Sequence, residues 1–270
     1  MRIGKKTDVG RRRELDEDSI VVKKGSTVYN SKHVDAILLA LADGMGGHNA
    51  GEVASSLATE TVAEEMTRVL ESQRGLSDEE MSTLFQKSIK LANQKIYDYG
   101  QQNPQYRGMG TTVTAAVVLD DIVYIGHVGD SRAYIFNERE VIQVTKDHSL
   151  VQEMIDDEKI TDDEARTHPQ KNIITKTVGM YRDVEADIIR VRLDKGDILL
   201  VCCDGLTDMV PDEEIHAIVM QHKDPQTICD ALVDEANARG GFDNISVIVG
   251  MYGGLSEGST VKERTEIKRW

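Results

Sequence analysis

Acidic residues stand directly beside several short apolar segments of the chain, where these segments begin or end. The acids are Glu17, Asp18, Asp43, Asp130, Asp204 and Asp243. Since neighbouring strands can bring their ends together, such carboxylates would repel one another unless protons or cations neutralise them. Hard divalent cations such as Mg²⁺ and Mn²⁺ prefer oxygen ligands. The pattern therefore indicates a carboxylate metal site, although an Asp-Gly pair such as Asp43-Gly44 is also a common turn signal.

Two divalent cations would give such a site a hydrolytic chemistry. Ions a few ångströms apart lower the pKa of a bridging water and hold a phosphoryl oxygen. A run of three arginines, Arg11-Arg12-Arg13, ends four residues before Glu17. A guanidinium can clamp a phosphate with two parallel hydrogen bonds, so the run is compatible with phosphate binding. On the pattern alone, a solvated charged loop is the simpler explanation.

Other catalytic motifs do not match the sequence. The glycine-rich segment 44–47 lacks the third glycine of a GxGxxG motif, because position 49 is Asn. Ser131 lies in Gly-Asp-Ser-Arg-Ala rather than in a GxSxG nucleophile motif. There is no Walker A or HExxH motif, and the seven histidines show no zinc-ligand spacing. His48, the one histidine beside the proposed site, is interpreted as a surface or capping residue.

The composition is that of an acidic globular protein. The formal net charge is −15, and 40% of the 270 residues are hydrophobic. This charge repels phosphate backbones and anionic membranes, so we expect no nucleic-acid binding and no membrane association. Cys202, Cys203 and Cys229 form no CxxC pair, which is typical of a reducing compartment. Because no apolar leader or membrane-length apolar run is present, a cytoplasmic location is expected.

The elements that must position these residues are mainly short strands. Segments with the β-branched, apolar character of strands are 19–22, 36–42, 111–119, 122–128, 132–136, 188–192, 197–203 and 245–251. The segments 119–122 and 129–131 are predicted to be tight hairpin turns, which implies antiparallel pairing. Without repeats or low-complexity linkers, residues 1–252 are predicted to form one domain.

Helical segments interrupt the strands in pairs. Apolar stripes with helical spacing run through 51–71 and 77–102, and further amphipathic segments cover 212–222 and 225–239. Ser77 and Glu80 form a capping-box signal. Helix pairs beside antiparallel strands predict an α+β fold. The polar stretch 146–176, with a short helix capped by Thr161 and Glu164, is predicted to be a mobile insertion, and the polar tail 253–270 is also predicted to be mobile.

Six segments, in order along the chain, resemble the motifs of the bacterial PP2C (PPM) family of metal-dependent serine/threonine protein phosphatases. The segments are 8–19, 43–48, 110–112, 129–133, 204–208 and 241–245. Six ordered motifs across residues 1–252 are far more specific than any one of them. The resemblance implies a four-layer α-β-β-α sandwich, in which helix pairs flank two antiparallel sheets. It also implies hydrolysis of phosphoserine and phosphothreonine in proteins.

The resemblance further implies a centre of two Mn²⁺ or Mg²⁺ ions, with a third, weaker site. Implied ligands are Asp43 as the bridge, Asp204 and Asp243 for the first ion, the Gly44 carbonyl for the second, Glu17 and Asp18 through waters, and Asp130 with Asp204 for the third. Arg13 aligns with the family's phosphate-binding arginine, and the insertion at about 146–180 aligns with a mobile flap beside the active site.

The family mechanism implies that a hydroxide bridging the metals attacks phosphorus in line, while Arg13 and the metals neutralise charge on the equatorial oxygens. Two residues depart from the family pattern. Asp16 replaces the usual Asn and adds negative charge near the centre. Met45 replaces the histidine that is the proposed general acid of eukaryotic members, so this acid is a metal-bound water or an unidentified residue, with His48 as one candidate.

The implied partners are phosphoprotein substrates and an opposing Ser/Thr kinase, and a monomer is expected. Three other functions were weighed against this one. A catalytically inactive phosphoprotein-binding relative is disfavoured because every expected ligand is present. A simple cation-binding protein would not need Arg13. A small-molecule phosphohydrolase using the same centre is the alternative that the sequence excludes least well.

Overall fold

The computed structural model describes residues 1–46, 50–72, 75–253 and 267–269. The strands in chain order are β1 (Arg2–Asp8), β2 (Asp18–Tyr29), β3 (Lys32–Met45), β4 (Gly110–Thr111), β5 (Val113–Leu119), β6 (Ile122–Val128), β7 (Arg132–Phe136), β8 (Val141–Gln143), β9 (Asp187–Arg192), β10 (Ile198–Cys202), β11 (Ile245–Met251) and β12 (Ile267–Arg269). The α-helices are α1 (Ala50–Glu71), α2 (Asp78–Gln102), α3 (Leu150–Asp156), α4 (Asp162–Arg166), α5 (Asp204–Thr207), α6 (Asp212–Gln221) and α7 (Pro225–Ala238).

The strands form two antiparallel sheets that pack face to face. One has the order β1-β11-β10-β7-β8, and the other has the order β12-β9-β6-β5-β3-β2, with β4 paired to the end of β3. Helices α1 and α2 cover the outer face of the larger sheet, and α6 and α7 cover that of the smaller one. The predicted four-layer α-β-β-α sandwich is confirmed.

The apolar segment at the end of β3 shows why the sequence folds this way. Leu38 and Ala40 pack in the core that the larger sheet shares with α1 and α2. Leu39 and Leu41 point the other way, into the core between the two sheets. Because successive side chains of a strand alternate between faces, and both faces here are buried, the segment is continuously apolar.

One of the two predicted hairpin turns is confirmed and the other is wrong. Leu119 pairs with Ile122 across a tight turn between β5 and β6. The segment 129–131, however, joins β6 of the larger sheet to β7 of the smaller one. Gly129 has a φ of 113°, and a Cβ there would lie 2.6 Å from the Thr112 side chain, so only glycine fits this crossing. The crossing carries Asp130 from one sheet to the other.

Other differences lie in polar segments. Strands β2 and β3 continue through residues 23–35, whose polar side chains are partly exposed, to a turn at Asn30 and Ser31 with positive φ values. Strands β1 and β8 were not predicted, and three residues of the predicted mobile tail, Ile267–Arg269, pair with β9. The capping boxes at Ser77 and Thr161 are confirmed. In the described ranges, no helix is long and apolar enough to cross a membrane.

Candidate metal centre

Strand pairing places two of the predicted ligands face to face. Asp18, the first residue of β2, lies directly opposite Asp43 near the end of β3. The Asp43 backbone is fixed from the other side, because its N–H donates to Thr112 Oγ1 at 2.9 Å and its carbonyl accepts from Thr111 Oγ1 at 2.7 Å. Potential ligand atoms of Asp18, Asp43 and Cys203 all lie within 4.8 Å of one another. Since Cys203 follows β10, this cluster joins the ends of both sheets.

Asp204 and Asp243 reach the cluster from the smaller sheet. Asp204 begins the short helix α5 after β10, and Asp243 lies two residues before β11. The two segments are in close contact, because a Cβ on Gly205 would lie only 1.9 Å from the Asn244 carbonyl oxygen. Glycine is therefore required after Asp204, and the Asp-Gly pair is a packing requirement as well as a turn signal.

Asn244 holds the loop that carries Arg13 and Glu17. Its side-chain oxygen accepts from the Glu17 N–H at 2.9 Å. Its Nδ2 donates to the carbonyls of Val9, at 3.1 Å, and Leu15, at 2.8 Å. Asn244 belongs to the last of the six motifs, but its role was not predictable, because a lone asparagine gives no signal of a long-range contact.

Glycines bring Glu17 against the start of α1. The Gly44 N–H donates to the Glu17 carbonyl at 3.1 Å, which joins the end of β3 to the loop before β2. A Cβ on Gly51 would lie 2.5 Å from a carboxylate oxygen of Glu17. Burial raises the pKa of Glu17, although a hydrogen bond from the Gly51 backbone opposes this shift. Gly51 was not identified from the sequence as part of the site.

Four of these acids, Asp18, Asp43, Asp130 and Asp204, have pKa values above the ordinary range of an aspartate. Burial, with neighbouring carboxylates, raises the pKa of Asp18 to about 7 and that of Asp204 to about 6. The same causes raise the pKa values of Asp43 and Asp130 well above the ordinary range. Both carboxylate oxygens of Asp18 and one of Asp204 are buried without a hydrogen-bond partner among the described residues. Buried oxygens of this kind fit hard divalent cations.

Arg13 lies beside the acid cluster, a name we use for Asp18, Asp43, Asp204 and Asp243. Its Nη2 lies 2.7 Å from Asp243 Oδ2, and both side chains are partly exposed. The hydrogen bond to Asp243 and the charges of Glu17 and Asp43 raise the pKa of Arg13. The third arginine of the run therefore lies at the mouth of the acid cluster. Of the other candidates, Met45 ends β3, whereas His48 lies outside the described residues.

A cavity of about 340 Å³ adjoins the cluster on the side of the predicted flap. Asp130 and Asp204 form part of its wall, together with residues of α3 and α4. Arg132 in the wall donates to both carboxylate oxygens of Asp147, and Lys171 pairs with Asp208 at 2.6 Å. Asp130 thus lies between the acid cluster and a polar cavity that the insertion covers.

Known proteins share both this fold and this sequence pattern. The S. agalactiae serine/threonine phosphatase superposes with a TM-score of 0.80 at 38% identity, covering 93% of this chain and 98% of that one. The catalytic domain of the phosphatase PstP, solved in complex with two manganese ions, gives a TM-score of 0.77 at 31% identity, with the same coverage. The solved structures define the class as bacterial serine/threonine phosphatases.

Sequence comparison identifies the family. The model of the family "Protein phosphatase 2C" matches residues 26–233. The serine/threonine phosphatase stp of Listeria monocytogenes is 37% identical over 244 residues, which is 90% of this chain and 93% of that protein. The chain therefore belongs to the protein phosphatase 2C family and is a protein phosphatase.

Proposed function

We propose that this protein is a metal-dependent phosphatase that hydrolyses phosphoserine and phosphothreonine in proteins. The observation that carries the proposal is the group of buried acids around Asp18 and Asp43. Two of its members have buried carboxylate oxygens without a hydrogen-bond partner in the described part of the chain. A bound cation would favour the ionised forms of these acids, whose pKa values are otherwise raised. The two manganese ions of the related PstP domain support the same assignment.

Most of the site residues are proposed to be metal ligands. Proposed ligands are Asp43 between two ions, Asp204 and Asp243 at one of them, the Gly44 carbonyl at the other, Glu17 and Asp18 through waters, and Asp130 with Asp204 at a third, weaker site. When bound, Mn²⁺ or Mg²⁺ supplies an activated water as nucleophile and positive charge for the phosphoryl oxygens.

Arg13 binds the phosphate group in this proposal. Its ion pair with Asp243 fixes the guanidinium at the edge of the acid cluster, where it can offer further N–H groups to two phosphoryl oxygens. This orients the phosphorus toward the acids and stabilises charge on the equatorial oxygens. Met45 cannot donate a proton, so the leaving alcohol would take its proton from water or from another residue, with His48 as one candidate.

The test is hydrolysis of p-nitrophenyl phosphate and of a phosphothreonine peptide, side by side, with Mn²⁺, Mg²⁺ or EDTA. The Asp43→Asn variant is the control. Release from the peptide that EDTA and the substitution both abolish would support the proposal. Activity on the small ester alone would favour a small-molecule phosphohydrolase, and no activity in a folded, metal-loaded protein would favour a phosphoprotein-binding role.

The remaining expectations about its setting stay predictions. They are a monomeric state, an opposing Ser/Thr kinase and action in the cytoplasm. The last is supported by three buried cysteines that are all free thiols, as in a reducing compartment.

A further inference from the structure

The loop between β1 and β2 contacts the loop between α7 and β11 beside the acid cluster, and three consecutive residues of one loop contact three consecutive residues of the other. The Arg11 N–H donates to the Gly241 carbonyl at 2.7 Å. The Arg12 guanidinium carbon lies 5.6 Å from the centre of the Phe242 ring, a cation–π arrangement. The next pair is the ion pair of Arg13 with Asp243. The Arg12–Phe242 pair is therefore held directly beside the proposed phosphate-binding arginine.

Glycines constrain the backbone of both loops, which fixes the position of the Arg12–Phe242 pair relative to Arg13. Gly10 has a φ of 80°, and a Cβ there would lie 2.2 Å from the Asp243 carbonyl oxygen. Gly241 has a φ of 49°, and a Cβ there would lie 2.5 Å from Asn237 Oδ1. Both positions require glycine. The loops carry their side chains on a rigid support, which favours specific recognition.

The two loops expose apolar side chains next to the site. The exposed fractions are 55% for Phe242, 47% for Leu15 and 36% for Val9, while the other two phenylalanines of the chain are buried. Val9 and Leu15 are neighbours, because their carbonyls accept from the same Asn244 Nδ2. We call Val9, Arg11, Arg12, Leu15 and Phe242 the loop surface. Exposed apolar side chains on loops beside a site can contribute to a binding surface.

The loop surface carries the positive charges of Arg11 and Arg12, of which Arg11 also interacts electrostatically with Asp8. Within the described ranges, no carboxylate lies within 4.0 Å of the Arg11 or Arg12 guanidinium, although the protein has a net charge of −15. Arg132 and Arg239, in contrast, each pair with acids of this protein. Phe242 covers one face of the Arg12 guanidinium, and the N–H groups at its edge are available to a carboxylate.

We propose that the loop surface binds the polypeptide next to the phosphorylated residue and selects substrates with an acidic and an apolar residue close to it. This inference rests on the proposed function. With the phosphate at Arg13, a residue one or two positions away is displaced by about 3.5 to 7 Å. The Arg12–Phe242 pair, which directly adjoins the Arg13–Asp243 pair along both loops, is therefore the first surface offered to such a residue. Arg11 and Arg12 would take the acidic side chain, and Phe242, Leu15 and Val9 would take the apolar one.

The test compares phosphothreonine peptides that share one backbone and differ in their neighbours. One has Glu and Leu beside the phosphothreonine, one has Lys and Leu, and one has Glu and Ser. Their kcat/KM values with Mn²⁺ are measured for the wild type, Arg12→Glu and Phe242→Ala. Arg139→Glu is the matched control, because it makes the same charge change on an exposed residue in the β7–β8 turn. Fluorescence polarisation with the same peptides, in non-hydrolysable phosphonate form, measures binding without turnover.

The wild type should prefer the Glu-Leu peptide over the Lys-Leu peptide by about 10-fold, as expected for one charge-assisted hydrogen bond. Arg12→Glu should reverse this preference, and Phe242→Ala should remove the preference for Leu over Ser. Both variants should lose much less activity on p-nitrophenyl phosphate, which has no flanking residues, than on the Glu-Leu peptide. Arg139→Glu should match the wild type throughout.

Equal kcat/KM and equal binding for the three peptides in the wild type would overturn the inference. Equal losses on the peptides and on p-nitrophenyl phosphate in Arg12→Glu would do the same, since they would indicate damage to the centre. If no substrate is hydrolysed but the peptides still bind with the expected preference, the proposed function fails and the loop surface is supported.

Discussion

Asp18 and Asp43 face each other directly across strands β2 and β3, and neither carboxylate oxygen of Asp18 has a hydrogen-bond partner among the described residues. Acidic side chains placed opposite each other in a sheet destabilise it. Here the pair is also buried, and Asp204 and Asp130 add their charges. The arrangement therefore destabilises the protein without metal, and cations bound between these acids would offset the repulsion. A destabilising arrangement of this kind is expected at a functional site.

The first prediction concerns the pH dependence of stability without metal. The pKa of Asp18 is raised from 3.8 to about 7 and that of Asp204 from 3.8 to about 6. As pH rises above 3.8 the unfolded chain loses these protons first, so the free energy of unfolding falls until pH passes the folded-state values. In EDTA, these acids should therefore make the protein less stable at pH 7.5 than at pH 5, as measured by urea denaturation.

A control is needed because His127 makes the free energy of unfolding rise with pH, whereas the acids make it fall. Burial lowers its pKa from 6.5 to about 3, so protonation of the unfolded chain reduces stability as pH falls below 6.5. The Asp18→Asn variant retains this contribution but cannot ionise at position 18. Its stability should decline less than that of the wild type between pH 5 and pH 7.5. Equal pH profiles for the two proteins would contradict the burial of an ionisable Asp18.

The second prediction concerns Asp43, the proposed bridging ligand. Asp43→Asn should reduce Mn²⁺-dependent hydrolysis of p-nitrophenyl phosphate by about 100-fold or more, because one charged ligand is lost. The metal-free variant should be more stable than the metal-free wild type at pH 7.5, because a neutral amide removes repulsion from Asp18. Calorimetry in EDTA measures the second effect. Turnover near the wild-type value would refute the metal assignment.

The sequence predicts the acids that follow apolar runs, but it does not predict which strands bring these acids together. Asp43 and Asp204 were found because each directly follows an uninterrupted apolar run, which the burial of both faces of the strand requires. The pairing of Asp18 with Asp43 was not predictable, because the polar residues 23–35 concealed the long hairpin that sets its register.

Long-range contacts made by single residues leave no recognisable pattern in the sequence. Gly51 and Asn244 contact Glu17 from distant parts of the chain, and nothing in the local sequence shows this. The crossing at 129–131 was mistaken for a hairpin because a local turn signal does not state which sheet receives the next strand. Long-range packing, rather than local propensity, decides these features.

The third prediction concerns Arg13. Arg13→Ala should raise KM for a phosphothreonine peptide by about 10-fold or more, as expected for a lost charge-assisted hydrogen bond, with folding intact. Arg13→Lys keeps the charge without the two-pronged geometry and should give an intermediate KM. Steady-state kinetics with circular dichroism as a folding check measures both. An unchanged KM in Arg13→Ala would mean that the arginine run is only a solvated loop.

The fourth prediction concerns Asp130, which lies on the crossing between the sheets and faces the cavity under the insertion. Asp130→Asn should lower kcat by about 10-fold while two Mn²⁺ ions still bind, because only the third site loses a charged ligand. Equilibrium dialysis with metal analysis counts the ions, and kinetics gives kcat. A variant that retains no metal would show that Asp130 belongs to the main centre instead.

The fifth prediction concerns Asn244, which joins the Arg13 loop to β11. Asn244→Ala removes three hydrogen bonds to the backbone of Val9, Leu15 and Glu17. The loss should reduce the free energy of unfolding by about 2 to 4 kcal/mol, since three partly buried hydrogen bonds each contribute about 0.5 to 1.5 kcal/mol. It should also weaken Mn²⁺ binding, because Glu17 is no longer fixed. Urea denaturation and a Mn²⁺ titration measure the two effects.

Asn93→Ala is the matched control for that variant. Asn93 is buried in α2 and bonds to the backbone of Gly179 and Tyr181, outside the acid cluster. Its loss should lower stability to a similar extent and leave Mn²⁺ affinity unchanged. If both variants lose the same Mn²⁺ affinity, the effect reflects general destabilisation. If only Asn244→Ala loses it, this asparagine positions a metal ligand that it does not itself supply.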